Sequence, residues 1–284
     1  MSSPPRTLIC GIGGPTCSGK TTLAKHLARI IPDSLCLFED DFAPPSELIP
    51  THPVHGFQDW DDPAGAIQWE KQRAAIRHLR ETGDFPESHS SHDHMNEQVP
   101  VPISDELANE WRARFERLLE EEKDTPTIVL AEGFLIMYDQ ESVREFDVRL
   151  FVREDYATLK QRRYDRHGYH TAGTRAFLSS LGSECDRSRG APRLTQVQSN
   201  ADGTLWRDPE NYWDLCVWPA YLKAHRPLFV DGDVESGAPD PSAIEGVELF
   251  EAKELGMDEM VRRACERIYA AVKEGKTSKE FKKP

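Results

Sequence analysis

The chain has 284 residues, with 49 acidic against 35 lysine and arginine residues and a formal charge of -14. That length holds one large α/β domain or at most two small ones, and so acidic a chain excludes a broad basic surface of the kind that holds nucleic acid by neutralising phosphates. Met1 to Arg6 lacks the apolar core of a secretory leader, no run is long enough to span a membrane, and Cys10, Cys17, Cys36, Cys185, Cys216 and Cys265 show no paired spacing. Neither a zinc site nor a disulfide framework is expected, and the default setting is a reducing cytoplasmic or nuclear one. Cys10 and Cys36 lie in apolar runs and are expected to be buried.

Thr7 to Ile12 is a short apolar run that reads as a buried strand. Gly14-Pro15-Thr16-Cys17-Ser18-Gly19-Lys20-Thr21 follows, fitting the pattern G-x-x-x-x-G-K-[ST]. Its glycines let backbone N–H groups close around a polyphosphate, its lysine reaches the outer phosphates, and its hydroxyl meets a divalent cation. Thr22 to Ile31 has helical apolar spacing and ends at Pro32. Strand, glycine loop and helix in that order aim a helix N-terminus at bound phosphate.

Ser34 to Phe38 reads as a second strand, ending in Glu39-Asp40-Asp41-Phe42, where ligands of open α/β sheets collect. The proline-rich stretch 43–53 is expected to be a surface loop. Asp62-Pro63 has the signature of an N-cap with proline at the first helical position, ahead of apolar residues from Ile67 to Leu79. That assignment leaves Trp60 and Asp61 free to face a pocket. Residues 83–102 are polar, and His89, His92 and His94 read as part of a solvated loop rather than a metal site. Ser104 to Glu122 carries Leu107, Trp111, Phe115, Leu118 and Leu119 on one helical stripe.

Thr127 to Ala131 is the clearest buried strand, and Glu132 at its end is placed to serve a cation beside the phosphate loop. Val148 to Val152 is a further strand. Tyr156 to His167 reads as a helix on which Arg162 and Arg166 share a face and Arg163 lies about 100° round. Residues 170–202 lack a period and read as a mobile insertion; Asn211 to Arg226 is an aromatic-rich helix or helix pair. Pro227 to Asp233 is expected to form the last strand with its turn, Met257 to Val272 the closing helix, and Lys273 to Pro284 a tail without structure.

Gly14-x-Thr16-x-Ser18-Gly19-Lys20-Thr21-Thr22, Glu39-Asp40-Asp41-Phe42, Trp60-Asp61, Glu132-Gly133-Phe134, Arg162-Arg163-x-x-Arg166 and Val217-Trp218-Pro219-x-Tyr221 stand in the order found in nicotinamide riboside kinases. The sequence resembles that branch of the uridine-kinase-like P-loop kinases over most of its length. The resemblance implies an α/β P-loop kinase fold, a parallel sheet flanked by helices in a single domain 1–284, with a helical lid and insertions at 83–124 and 170–205. It implies that ATP, with Mg²⁺, phosphorylates the 5′-hydroxyl of nicotinamide riboside, giving nicotinamide mononucleotide for NAD synthesis. ATP would be held by Gly14, Thr16, Ser18, Gly19, Lys20, Thr21, Thr22, Arg162 and Arg166, and the metal by Thr21 and Glu132. Asp40 matches the acid that takes the hydroxyl proton, Trp60 the ring against the base, Asp61 the ribose carboxylate, and Arg163 the lid cation at the transferring phosphate. Ala43 stands where shorter relatives carry an aromatic residue. A uridine or cytidine kinase is the alternative acceptor reading. A regulatory nucleotide switch is disfavoured because no Asn-Lys-x-Asp occurs, and a scaffold without catalysis because Lys20, Asp40 and Glu132 are all present.

Overall fold

The computed structural model describes residues 6–91, 93, 96, 98–122, 125–166, 169–170 and 205–275. Five strands form one parallel sheet: β1 (Thr7–Gly13), β2 (Leu35–Phe38), β3 (Thr127–Gly133), β4 (Val148–Arg153) and β7 (Val247–Glu251), in the order β2-β3-β1-β4-β7. β5 (Tyr169–His170) and β6 (Leu205–Trp206) make a separate antiparallel ribbon. The helices in chain order are α1 (Lys20–Ile30), α2 (Trp69–Thr82), α3 (Asp105–Glu121), α4 (Gln140–Val143), α5 (Tyr156–Asp165), α6 (Trp218–His225) and α7 (Met257–Glu274).

Every residue of β1 is buried, as a central parallel strand covered on both faces requires. Its alternation divides the core. Leu8, Cys10 and Ile12 pack with Leu23 and Leu27 of α1, Trp111 and Phe115 of α3, and Val261 and Ile268 of α7. Ile9 turns the other way, towards Ile76 and Leu79 of α2 and Tyr221 of α6. The register sets Gly13 beside Gly133 and Phe38 beside Glu132, so the loop after β1 and the acids after β2 and β3 emerge together at the carboxyl edge.

Five expectations are corrected. Pro227 to Asp233 is two short 3-10 turns, because Asp231 takes a left-handed φ of 56° that extended chain cannot continue through. The fifth strand is β7, whose acidic sequence hid it: Glu248 is paired with Arg263 and Glu251 with Arg153. Asp62 does not cap a helix. Its carbonyl closes a turn with Gly65 and Ala66, its carboxylate meets Lys223 at 3.0 Å, and α2 begins only at Trp69.

Cys36 is half-buried rather than buried. Lys273 and Glu274 belong to α7, so the closing helix runs into the stretch read as a tail. Residues 276–284, 171–204, His92 and His94 lie outside the described residues. Among the described residues no helix is long and apolar enough to cross a membrane.

Candidate active site

The loop after β1 is held in the one conformation its glycines permit. Gly14 has φ 142°, and a Cβ there would stand 2.2 Å from the carbonyl oxygen of Val152. Gly19, with φ 100°, precedes the first turn of α1, and its carbonyl accepts from Leu23 N at 2.9 Å. The Lys20 side chain is buried and reaches back over the loop to Pro15 O at 3.4 Å. The first N–H groups of α1 therefore open into the cleft beside a lysine, an arrangement suited to a polyphosphate.

Thr21 on α1 donates its hydroxyl proton to Glu132 Oε1 at 3.1 Å, tying the loop to the end of β3. Glu132 Oε2 is buried with no hydrogen-bond partner among the described residues. Burial pushes the Glu132 carboxyl up to about 7, Lys20 opposes the shift, and Asp40 adds to it. A buried carboxylate oxygen left without a donor, next to a hydroxyl and a lysine, fits a hard cation.

After β2 the chain turns through a short 3-10 segment, Glu39–Phe42, which sends neighbouring acids in different directions. Glu39 points into the protein. It accepts from Leu135 N at 2.6 Å, and burial pushes its carboxyl up to about 8. Gly133 is required here, since a Cβ would come within 2.4 Å of the Glu39 carboxylate. Asp40 is exposed to the cleft. The split makes Glu39 a structural acid and leaves Asp40 facing the cleft.

The other half of the cleft comes from the loop before α2 and from α5. Trp60 is half-buried, its backbone N–H donates to the Tyr212 hydroxyl at 2.8 Å, and its ring lies 5.5 Å from that of Trp206. Asp61 is buried with Arg163 at 3.7 Å; burial pushes its carboxyl up to about 6 while Arg163 pulls it down. Arg163 donates to both oxygens of Asp208, at 2.7 and 2.9 Å, and to Thr16 Oγ1 at 3.2 Å. Arg162 donates to Cys17 O at 3.1 Å and pairs with Glu154 at 3.2 Å. Arg166 follows α5 as its C-cap and lines the cleft, as does Thr22. α5 is itself seated on Tyr212, Trp213 and Val217 through Leu159.

One cavity of about 1080 Å³ joins these groups. Thr16, Ser18, Gly19, Lys20, Thr21 and Thr22 line it, and so do Asp40, Trp60, Asp61, Glu132, Arg162, Arg163 and Arg166. Gly14 lies beneath the loop, with its α-carbon packed against β4. Sequence reasoning missed Asp208, Glu39 and Tyr212 as supports of the site. It also read 83–102 as a solvated loop, whereas Asp93, Gln98, Val99 and Val101 line the cavity and His89 stacks on Phe85 at 4.3 Å. Away from this cleft, His52, Asp59 and Cys216 bring potential ligand atoms within 4.8 Å of one another. There His52 Nδ1 accepts from Val54 N and His55 N, which puts the ring proton on Nε2 and opposes metal ligation through that atom.

A parallel sheet carrying this glycine loop, with strand-end acids and arginines over one cleft, is the arrangement of a P-loop kinase fold. The chain resembles the nicotinamide riboside kinases along most of its length. It is 29% identical over 240 residues to nicotinamide riboside kinase of Eremothecium gossypii, covering 84% of this chain and 85% of that one. Identity to the Schizosaccharomyces pombe nicotinamide riboside kinase is 28%, over 81% and 84% of the two chains, and to human nicotinamide riboside kinase 1 it is 29%, over 77% and 76%. No protein-family model matches the chain. A solved structure of a possible uridine kinase from Bacillus stearothermophilus superposes with a TM-score of 0.35 at 18% identity, covering 59% of this chain and 79% of that one, too low to bear on function.

Proposed function

We propose that this chain transfers the γ-phosphoryl group of ATP to the 5′-hydroxyl of nicotinamide riboside, giving nicotinamide mononucleotide for NAD synthesis. The observation that carries this reading is the single cleft in which the phosphate loop, Asp40, the Trp60-Asp61 pair and Arg163 converge. In this reading Lys20 and the loop N–H groups hold the outer phosphates, with Arg162 and Arg166 closing over them. Thr21 and Glu132 would hold Mg²⁺, which supplies charge neutralisation on the donor phosphates. Asp40 accepts the hydroxyl proton and aligns its oxygen for attack, so the alkoxide character develops only against the phosphorus. Asp61 holds ribose hydroxyls, and Trp60 offers its π face to the cationic pyridinium, which an indole favours over a neutral ring. Arg163, pinned between Thr16 and Asp61, meets the charge that grows on the transferring group.

The chain is read as one catalytic unit, with 83–124 and 170–205 as insertions in it. A cytoplasmic or nuclear setting is supported by the free thiols of Cys10, Cys17, Cys36, Cys216 and Cys265. The test is ATP turnover with nicotinamide riboside, nicotinic acid riboside, uridine and cytidine in parallel. Acceptor-dependent ADP release is expected with nicotinamide riboside. Release with the pyrimidine nucleosides alone makes the enzyme a pyrimidine nucleoside kinase, and release with none of the four removes the kinase reading.

A further inference from the structure

Across the cleft, Asp40 follows β2, Glu132 is on β3, the phosphate loop follows β1, and the opposite end belongs to the segment between β7 and α7. A nucleoside triphosphate whose terminal phosphate points at Asp40 must lay its base towards that opposite end. Leu255 and Met257 line the cleft there, and the Met257 methyl lies 3.5 Å from where a Cβ on Gly19 would stand. The stretch Gln98, Val99, Pro100 and Val101 lines the same cleft. Val99 is 84% and Val101 43% exposed, aliphatic side chains turned to water at the rim of a cavity.

The stretch is held in place at three points. Asp93 pairs with Lys25 at 2.7 Å, His26 Nε2 donates to Val101 O at 2.8 Å, and Ser104 N donates to the Asp258 carboxylate at 3.2 Å. Lys25 and His26 are on α1 and Asp258 is in the first turn of α7, so the stretch crosses as a strap from one helix to the other. α3 follows directly and fixes the strap to the core through Trp111 and Phe115.

We propose that this strap is a wall of the donor-base pocket, with Val99 and Val101 covering a face of the purine ring. The inference rests on the kinase reading. A flat ring between valine and the Leu255 and Met257 side chains removes apolar surface of both from water, a gain that grows with the area covered. The strap thus governs affinity for the base, leaving the phosphate contacts to the loop.

The experiment titrates the intact chain calorimetrically with ATP and, separately, with inorganic tripolyphosphate. The proteins are the wild type, the double variant Val99→Asp with Val101→Asp, and the milder pair Val99→Ala with Val101→Ala. Two carboxylates on the strap should weaken ATP about tenfold and the alanine pair less, while tripolyphosphate affinity stays within about twofold in all three. Unchanged ATP affinity in the aspartate variant overturns the proposal. An equal loss for both ligands also overturns it, because the strap would then act on the phosphate loop. A wild type that binds ATP no better than tripolyphosphate removes the base pocket, and one that binds neither removes the kinase reading itself.

Discussion

Both carboxylate oxygens of Asp208 accept from the Arg163 guanidinium, at 2.7 and 2.9 Å, and Trp206 Nε1 adds a hydrogen bond to the same carboxylate at 3.0 Å. A two-point ion pair of this kind fixes the plane of the guanidinium as well as its position. It leaves Arg163 aimed at Thr16 of the phosphate loop and at Asp61. Asp208 thus positions the Arg163 guanidinium, the group that the proposed reaction places at the transferring phosphate. Asp208→Asn should lower kcat on the order of tenfold to a hundredfold by loosening that aim, with ATP affinity within about threefold. Steady-state kinetics beside direct ATP titration checks this; a loss confined to ATP affinity would make the pair part of donor binding instead.

Asp40 is the exposed member of an acid pair whose other member, Glu39, is spent on Leu135 N. Asp40→Ala should reduce transfer at least about a hundredfold, the usual weight of a positioned general base, while ATP still binds. Rapid-quench single-turnover assays with calorimetric ATP binding separate the two steps. If ATP affinity collapses along with the rate, Asp40 serves the donor side.

Trp60 is held by its backbone to Tyr212 and by its ring to Trp206, and neither contact buries the whole indole. Trp60→Ala should raise KM for nicotinamide riboside roughly tenfold, the weight of a cation–π contact of 1 to 2 kcal/mol, with ATP binding and fold kept. A variant that loses its cooperative melting transition would show the ring to be core filler.

The parts of the site that were legible in the sequence are those whose chemistry is local. Gly14 to Thr21 has its meaning within eight residues, because tight φ angles and a helix start leave few residue choices. Glu132 was legible because a buried strand ends on it. Asp208 was not, since its partner Arg163 is 45 positions away in sequence and no spacing rule links them. The strap reads as a polar loop because its function comes from where α1 and α7 anchor it. β7 was missed for a related reason: glutamates that read as solvated are neutralised by Arg153 and Arg263 only once the sheet edge has formed.

His225, at the end of α6, is fully buried among the rings of Phe151 and Tyr221, with Nδ1 donating to Tyr221 O at 2.8 Å. Burial, chiefly, lowers its pKa from 6.5 to about 4. Between those two values the unfolded chain takes up a proton that the folded chain excludes, so this residue makes stability fall as the pH drops. The full span is worth roughly 3 kcal/mol by pH 4. Glu39 acts with the opposite sign: its carboxyl, pushed up to about 8, keeps a proton in the folded chain that the unfolded chain releases. That contribution is common to wild type and variant and cancels in their difference. His225→Gln keeps a donor for Tyr221 O without the titration. Urea unfolding of both proteins between about pH 7 and pH 4 should show the wild type losing roughly 3 kcal/mol more than the variant. Parallel stability profiles for the two proteins would mean that the imidazole is protonated inside the fold.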